Sequence, residues 1–169
     1  MFPHQLSGGQ RQRVSIACAL AATPQILIAD EPTTALDASM RGVILLLLRK
    51  LARERSLAVW LITHDLHAVR GASDEVTVMY AGRVVEQGPT SRVLENPRHP
   101  YTAALLASNP AGAKPGVPLP ALAGAVPLAS EVISGCRFHP RCPRMIDRCK
   151  VDRPALLDGV ACHLAPRGP

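Results

Sequence analysis

Residues suited to phosphate chemistry crowd into the first part of this chain. Leu6-Ser7-Gly8-Gly9-Gln10 sets a short hydroxyl and two glycines just ahead of a helical run, Arg11 to Ala22. A helix start leaves N–H groups without intrahelical partners, and its dipole favours an anion beside them, so phosphate oxygens suit this position. Ile26-Leu27-Ile28-Ala29 is a continuous apolar run within the strand expected from Gln25 to Ala29, and Asp30-Glu31-Pro32 follows it. Such a run suits a parallel strand covered on both faces. Asp30 and Glu31 then stand at the strand's carboxyl end, where ligands of open α/β sheets bind.

The elements that must position these groups follow in order. Ala38 to Arg55 reads as a helix with Ile44, Leu47, Leu48 and Leu51 at helical spacing. Leu57 to Ile62 reads as a second buried strand, ending at Thr63-His64-Asp65. Asp65 is placed to cap a short helix from Leu66 to Gly71. Glu75–Tyr80 and Arg83–Glu86 flank Ala81-Gly82 as a hairpin, and short helices are expected near Pro89–Glu95 and Pro100–Ala107. Pro110 to Pro127 is rich in Pro, Ala and Gly and reads as a linker.

Taken singly, Ser-Gly-Gly also reads as a capped turn and Asp-Glu-Pro as a solvated loop. Taken together and in this order, Leu6-Ser7-Gly8-Gly9-Gln10, Asp30-Glu31-Pro32 and Ala35-Leu36-Asp37 resemble the nucleotide-binding subunit of an ATP-binding cassette (ABC) transporter. The resemblance implies an α/β fold: part of a P-loop ATPase sheet with flanking helices. It also implies that such subunits close in pairs around two ATP molecules. Asp30 would orient Mg2+ through water, Glu31 would act as base toward the attacking water, and His64 would contact the terminal phosphate. Ser7, Gly8, Gly9 and Gln10 would bind the ATP held by the opposite subunit, and Asp37 would link the two sites. This division requires Gly9 to lie open and Glu31 to face a cleft.

The family's glycine-rich phosphate loop, G-x-x-x-x-G-K-[ST], is not found here. Gly112-Ala113-Lys114 is followed by Pro115 and has no preceding strand. The expectation is therefore the C-terminal half of an ATPase domain over 1–95, inactive toward ATP alone and exposing apolar strand faces. Asn96-Pro97-Arg98-His99-Pro100-Tyr101-Thr102 narrows the resemblance to oligopeptide and dipeptide importers, with nickel importers as relatives. It opens a C-terminal extension over 96–169, with its linker at about 110–130. Read from the residues alone, the same segment is a proline-bracketed helix start with Tyr101 packed on a core.

Cys18 stands alone and reads as a small core residue; the other four cysteines are Cys136, Cys142, Cys149 and Cys162. Their spacings, five, six and twelve intervening residues, match neither zinc-finger pairs nor the bacterial ferredoxin run. With no export signal, four thiols in one short stretch read as a metal site over disulfides. The resemblance favours a [4Fe–4S] cluster, with zinc the alternative and His139 and His163 as substitute ligands. Some 30 residues so poor in apolar side chains would struggle to fold without it.

Composition narrows the function classes. Val43 to Leu48 is an apolar run of six residues, far short of the roughly 18 a membrane span needs. Pro3, His4 and Gln5 interrupt any leader pattern, so the cytoplasmic face of the cell membrane is the expected location. Net charge is +6, with seven basic and three acidic residues in 136–169. Those arginines alternate with cysteines and prolines and form no block, so nucleic acid is not the expected partner. The resemblance implies a second ATP-binding subunit, identical or not, and permease subunits, with an extracellular substrate-binding protein acting indirectly. Peptide import powered by ATP hydrolysis is the implied function. The alternatives are a non-catalytic metal-binding or regulatory role, or an ABC-type ATPase acting on nucleic acid.

Overall fold

A computed structural model describes residues 2–34, 36–66, 69–108, 120, 122–128 and 130–165. The chain divides into two compact units, Met1–Ser73 and Asp74–Pro169.

In the first unit Ser7 caps α1 (Gly8–Leu20). The helix begins three residues before Arg11, because a capping hydroxyl and not the first apolar side chain decides where a helix starts. Ile16 and Leu20, four residues apart, turn inward. Cys18 is exposed, against expectation; it lies about 200° round the helix from Ile16. Asp37 caps α2 (Ala38–Glu54), which connects two parallel strands, β1 (Ile26–Asp30) and β2 (Ala58–Ile62). Their register runs from Ile26 beside Ala58 to Asp30 beside Ile62.

The core of this unit joins Ile16 and Leu20 to Leu27, Leu36, Ile44, Leu48 and Leu57. It covers only one face of the sheet. Side chains alternate along a strand, so Leu27 is buried while Ile26 and Ile28 stay 62% and 60% exposed, joined on β2 by Trp60 at 65% and Ile62 at 45%. The expectation of strands covered on both faces therefore fails for this chain by itself, and the bare apolar face expected of it is present. The short helix expected from Leu66 to Gly71 is not seen: Leu66 and Val69–Ala72 form turns, and residues 67–68 lie outside the described residues.

The second unit starts with the hairpin β3 (Glu75–Tyr80) and β4 (Arg83–Pro89). Ala81 and Gly82 both take positive φ, 45° and 76°, as the tight turn matching strand twist requires. α3 (Thr90–Glu95) and α4 (Pro100–Ala107) follow, the latter capped by His99 with proline in its first turn. The chain returns through a 3₁₀ turn, His139–Arg141, and α5 (Arg148–Val151). Phe138, 1% exposed, packs against Tyr80 at 5.1 Å and Tyr101 at 5.4 Å between ring centres. Tyr101 is half-buried and packs on this core, as a proline-bracketed helix start would have it.

The C-terminal loop hydrogen-bonds along β4: Gln87 N–H donates to the Gly159 carbonyl and Ala161 N–H to the Val85 carbonyl. The hairpin packs with the C-terminal segment, and the compact units part at 73/74. Most of the expected linker lies outside the described residues. Its Leu122 and Ala123 carbonyls accept from the Arg141 guanidinium. No helix among the described residues is long and apolar enough to cross a membrane.

Candidate functional site

The helix start at Ser7 closes on itself as a capping box. Ser7 Oγ accepts from the Gln10 N–H at 3.3 Å, and Gln10 Oε1 accepts from the Ser7 N–H at 2.9 Å. The N–H groups of Gly8 and Gly9 take no partner among the described residues, which leaves them as the donors of this helix end. Gly9, however, is buried. A Cβ placed on it would sit 2.7 Å from Met40 Cε of α2. The openness required of Gly9 is not met, because the end of a methionine side chain covers it. That end is flexible and can move aside. Ser7 and Gln10 are exposed and Gly8 half-buried.

At the other edge, parallel pairing carries the ends of β1 and β2 side by side. Asp30 is the last, exposed residue of β1. Glu31 continues the pairing through its N–H to the Ile62 carbonyl at 2.9 Å, then bends the chain at φ 45°. Few non-glycine residues adopt that left-handed conformation. The bend turns the carboxylate toward the end of β2. Glu31 Oε1 accepts from the His64 N–H at 3.1 Å and lies 2.8 Å from His64 Nδ1; Oε2 accepts from Thr34 Oγ1 at 2.7 Å. These bonds, Thr34's first and His64's next, hold the Glu31 carboxyl below its ordinary pKa. A pair 33 residues apart in sequence is thereby joined, and Thr34, which sequence reasoning passed over, belongs to it. Asp37 is committed differently. Its Oδ1 accepts from Met40 N–H at 2.9 Å and from Ser39 Oγ, and the Ser39 bond leads in lowering its pKa.

In the second unit Cys136, Cys142, Cys149 and Cys162 line one small cavity, with His99, His139 and His163 also on its wall. All four are free thiols. Gly135 makes the approach: at φ 64°, a Cβ there would meet the Cys149 carbonyl oxygen at 2.3 Å. The Cys136 N–H donates to that same oxygen at 2.9 Å. Burial first, and the neighbouring thiols next, push the Cys136 thiol above its usual pKa. Burial likewise leads for Cys142, with Cys162 and Cys149 adding to it. Cys136 and Cys142 in such a place resist ionising unless a cation compensates. Yet among the described residues no three His, Cys, Asp or Glu side chains are grouped as a metal ion would hold them. The expected ligand set is not drawn up as a coordination site; four thiols on one cavity wall is the arrangement present.

Fold and site first define a class. Part of the chain superposes on cbiO1 from Clostridium perfringens, part of the ABC transporter complex cbiONQ, with a TM-score of 0.53 and 39% identity. That match covers 56% of this chain and 38% of that one. A family model for ABC transporters matches residues 1–34, and one for the oligopeptide/dipeptide transporter C-terminal region matches residues 85–149. The dipeptide transport ATP-binding protein DppD of Escherichia coli is 49% identical over 168 residues, 96% of this chain and 51% of its own length. The oligopeptide transport ATP-binding protein AppD of Bacillus subtilis is 47% identical over 156 residues, 92% of this chain and 48% of its own. Over these stretches the chain is similar to ABC transporter ATP-binding proteins of the oligopeptide/dipeptide type. It spans about half the length of the curated relatives it matches.

Proposed function

We propose that this chain forms part of an ATP-binding and ATP-hydrolysing subunit that powers peptide import through an ABC transporter. The observation that carries the reading is the Glu31–His64 pair at the ends of two adjacent parallel strands, beside exposed Asp30. In that role Glu31 accepts the proton of the attacking water and His64 reaches the terminal phosphate. Asp30 would hold Mg2+, which would supply positive charge toward the phosphates. Phosphoryl transfer needs positioning and charge neutralisation above all, and these groups supply both. Ser7, Gly8, Gly9 and Gln10 face the ATP of a second ATP-binding subunit, with the Met40 side chain moving off Gly9 as that ATP arrives. Asp37, beside the helix start of α2, connects the two sites. Residues 1–95 act as part of the ATPase domain, and permease subunits hold the assembly to the inner face of the membrane. An extracellular binding protein delivers substrate.

The four cysteines form the metal-holding part of the extension. What supports this is that four free thiols line one cavity and that those of Cys136 and Cys142 are disfavoured as bare anions there, although the described side chains are not grouped as ligands. Cys136, Cys142, Cys149 and Cys162 would hold a [4Fe–4S] cluster or zinc, which supplies positive charge and a cross-link through residues 136–162.

The test exchanges residues 1–95 into the matching stretch of Escherichia coli DppD. The chimera is expected to hydrolyse Mg2+-ATP, and Glu31→Gln to lower that rate by about 10²- to 10⁴-fold. The 169-residue chain alone is expected to show no turnover. Hydrolysis by the chain alone, or an unaffected Glu31→Gln chimera, overturns the assignment.

A further inference from the structure

The bend at Glu31 opens a tight turn. Pro32 follows with its fixed φ, and the Thr34 N–H closes the turn on the Glu31 carbonyl at 3.3 Å. The same turn sets the Thr34 hydroxyl against the carboxylate of the residue that opens it, 2.7 Å from Oε2.

A carboxylate has about four lone-pair sites, two on each oxygen. Glu31 Oε1 takes two donors from one residue: the His64 N–H at 3.1 Å and the ring Nδ1 at 2.8 Å. An ionised carboxylate only accepts, so Nδ1 carries that proton. Both sites of Oε1 are filled. Oε2 takes the Thr34 hydroxyl, and among the described residues no other donor reaches it. One lone pair, on Oε2, stays open. The Glu31 side chain is 36% exposed, so water has access to it.

His64 alone would not fix the direction of that lone pair. The last torsion of a glutamate is broad, and a carboxylate held at one oxygen can swing its plane about that bond. A donor on each oxygen removes this freedom. The second donor is well suited to the task, because a β-branched side chain is stiff at χ1.

We propose, resting on the reading of Glu31 as the base, that Thr34 is a positioning residue for ATP hydrolysis, fixing the carboxylate so that the open lone pair of Oε2 receives the proton of the attacking water. One O–H bond of the water breaks and its proton passes to Oε2. The electron pair stays with the water oxygen, which bonds to the terminal phosphorus as the bond to the departing ADP oxygen breaks. Thr34 keeps its own proton throughout and occupies the other site of Oε2.

The experiment sets the whole 169-residue chain in place of the stretch of Escherichia coli DppD that it matches and measures kcat and KM for Mg2+-ATP. Thr34→Val keeps the side-chain shape and the N–H that closes the turn but has no hydroxyl. It is expected to lower kcat about 10- to 100-fold with KM unchanged, since the base stays present but is misdirected. Thr34→Ser restores the hydroxyl and is expected to return kcat close to that of the unaltered chimera. A loss of stability alone would not separate kcat from KM in this way. If Glu31→Gln abolishes turnover while Thr34→Val does not lower kcat, or Thr34→Ser lowers it as far as Thr34→Val, the Thr34 assignment fails and the base reading stands. If the unaltered chimera shows no turnover, or Glu31→Gln leaves it unchanged, the base reading fails and takes this one with it.

Discussion

The two units put their apolar surface to different uses. In Met1–Ser73 a core of aliphatic side chains covers one face of a two-stranded sheet and leaves Ile26, Ile28, Trp60 and Ile62 bare. Its polar residues, Asp30, Glu31, Asp37 and His64, sit at strand and helix ends, where Glu31 meets His64 and Asp37 caps α2. In Asp74–Pro169 the order is reversed. Both tyrosines and Phe138 form an aromatic centre with His99 against it, and Glu86, Thr102 and His99 are the unit's most buried polar residues. A unit with a bare face and polar rims is built to be completed by other surfaces. One with packed aromatic rings and a buried glutamate held by two backbone N–H groups is closed around its own interior.

The sharpest way to break this contrast is to hollow out the second unit. Phe138→Ala is expected to destabilise it by about 4 kcal/mol. Urea unfolding followed by tyrosine near-UV circular dichroism reads that unit, since Tyr80 and Tyr101 are the chain's two tyrosines and both lie in it. A loss below about 1 kcal/mol would mean that the aromatic centre does not organise the unit.

Acid should separate the units next. Burial lowers the His99 pKa from 6.5 to about 4, while the charge of Glu86 acts in the opposite direction. The unfolded chain therefore binds the extra proton more readily. In the metal-free chain this stabilisation is complete above pH 6.5 and is lost as pH falls toward 4, a change on the order of 3 kcal/mol. Glu31 and Asp37 also have lowered values, from 4.5 and 3.8. Their contribution is present above those values and lost only at lower pH, and solvent screening keeps it small. The tyrosine signal should thus weaken between pH 6.5 and 4, before acid disturbs the Glu31 bonds. Simultaneous loss of both would dissolve the distinction.

A smaller effect tests the join between the strands. Thr34→Val removes one of the Glu31 partners and should raise the Glu31 pKa measurably by NMR titration. Its cost to stability should be about 1 kcal/mol or less. The smallest effect is expected on the bare face. Trp60→Glu should change the stability of the isolated chain by no more than about 0.5 kcal/mol, because that side chain is already in water. It should nonetheless reduce self-association in light scattering. A large destabilisation would show that the face is covered after all.

Much of the first unit was legible because its signals are local. A hydroxyl, two glycines and a glutamine three residues on specify a capped helix start, and Ser7 to Gln10 forms one. Apolar runs of four and six residues separated by a helix specify parallel strands, and β1 and β2 pair so. What misled was orientation: Cys18 turned outward, and Gly9 lay under Met40 from a helix some thirty residues away. Neither follows from composition, since both depend on how α1 is rotated against α2. In the second unit the cysteine spacing marked a shared site, yet the residues that assemble its wall, Gly135 and His99, carry no spacing signal. Glu86 was wholly unforeseen, being a charged residue in a strand that alternation would have left in solvent.

Sequence by itself determined the order of elements, the capped start at Ser7, the carboxylates after β1 and the likeness to oligopeptide and dipeptide transporter ATP-binding proteins. These are matters of neighbours along the chain, where hydrogen-bond geometry and side-chain period act within a few residues. Tertiary structure alone decided that Glu31 meets His64, that Met40 covers Gly9, and that a buried glutamate holds the segment bearing His99 at the wall of a four-thiol cavity. Those outcomes depend on strand register and on packing between distant segments, and neither is written in the spacing of the residues concerned.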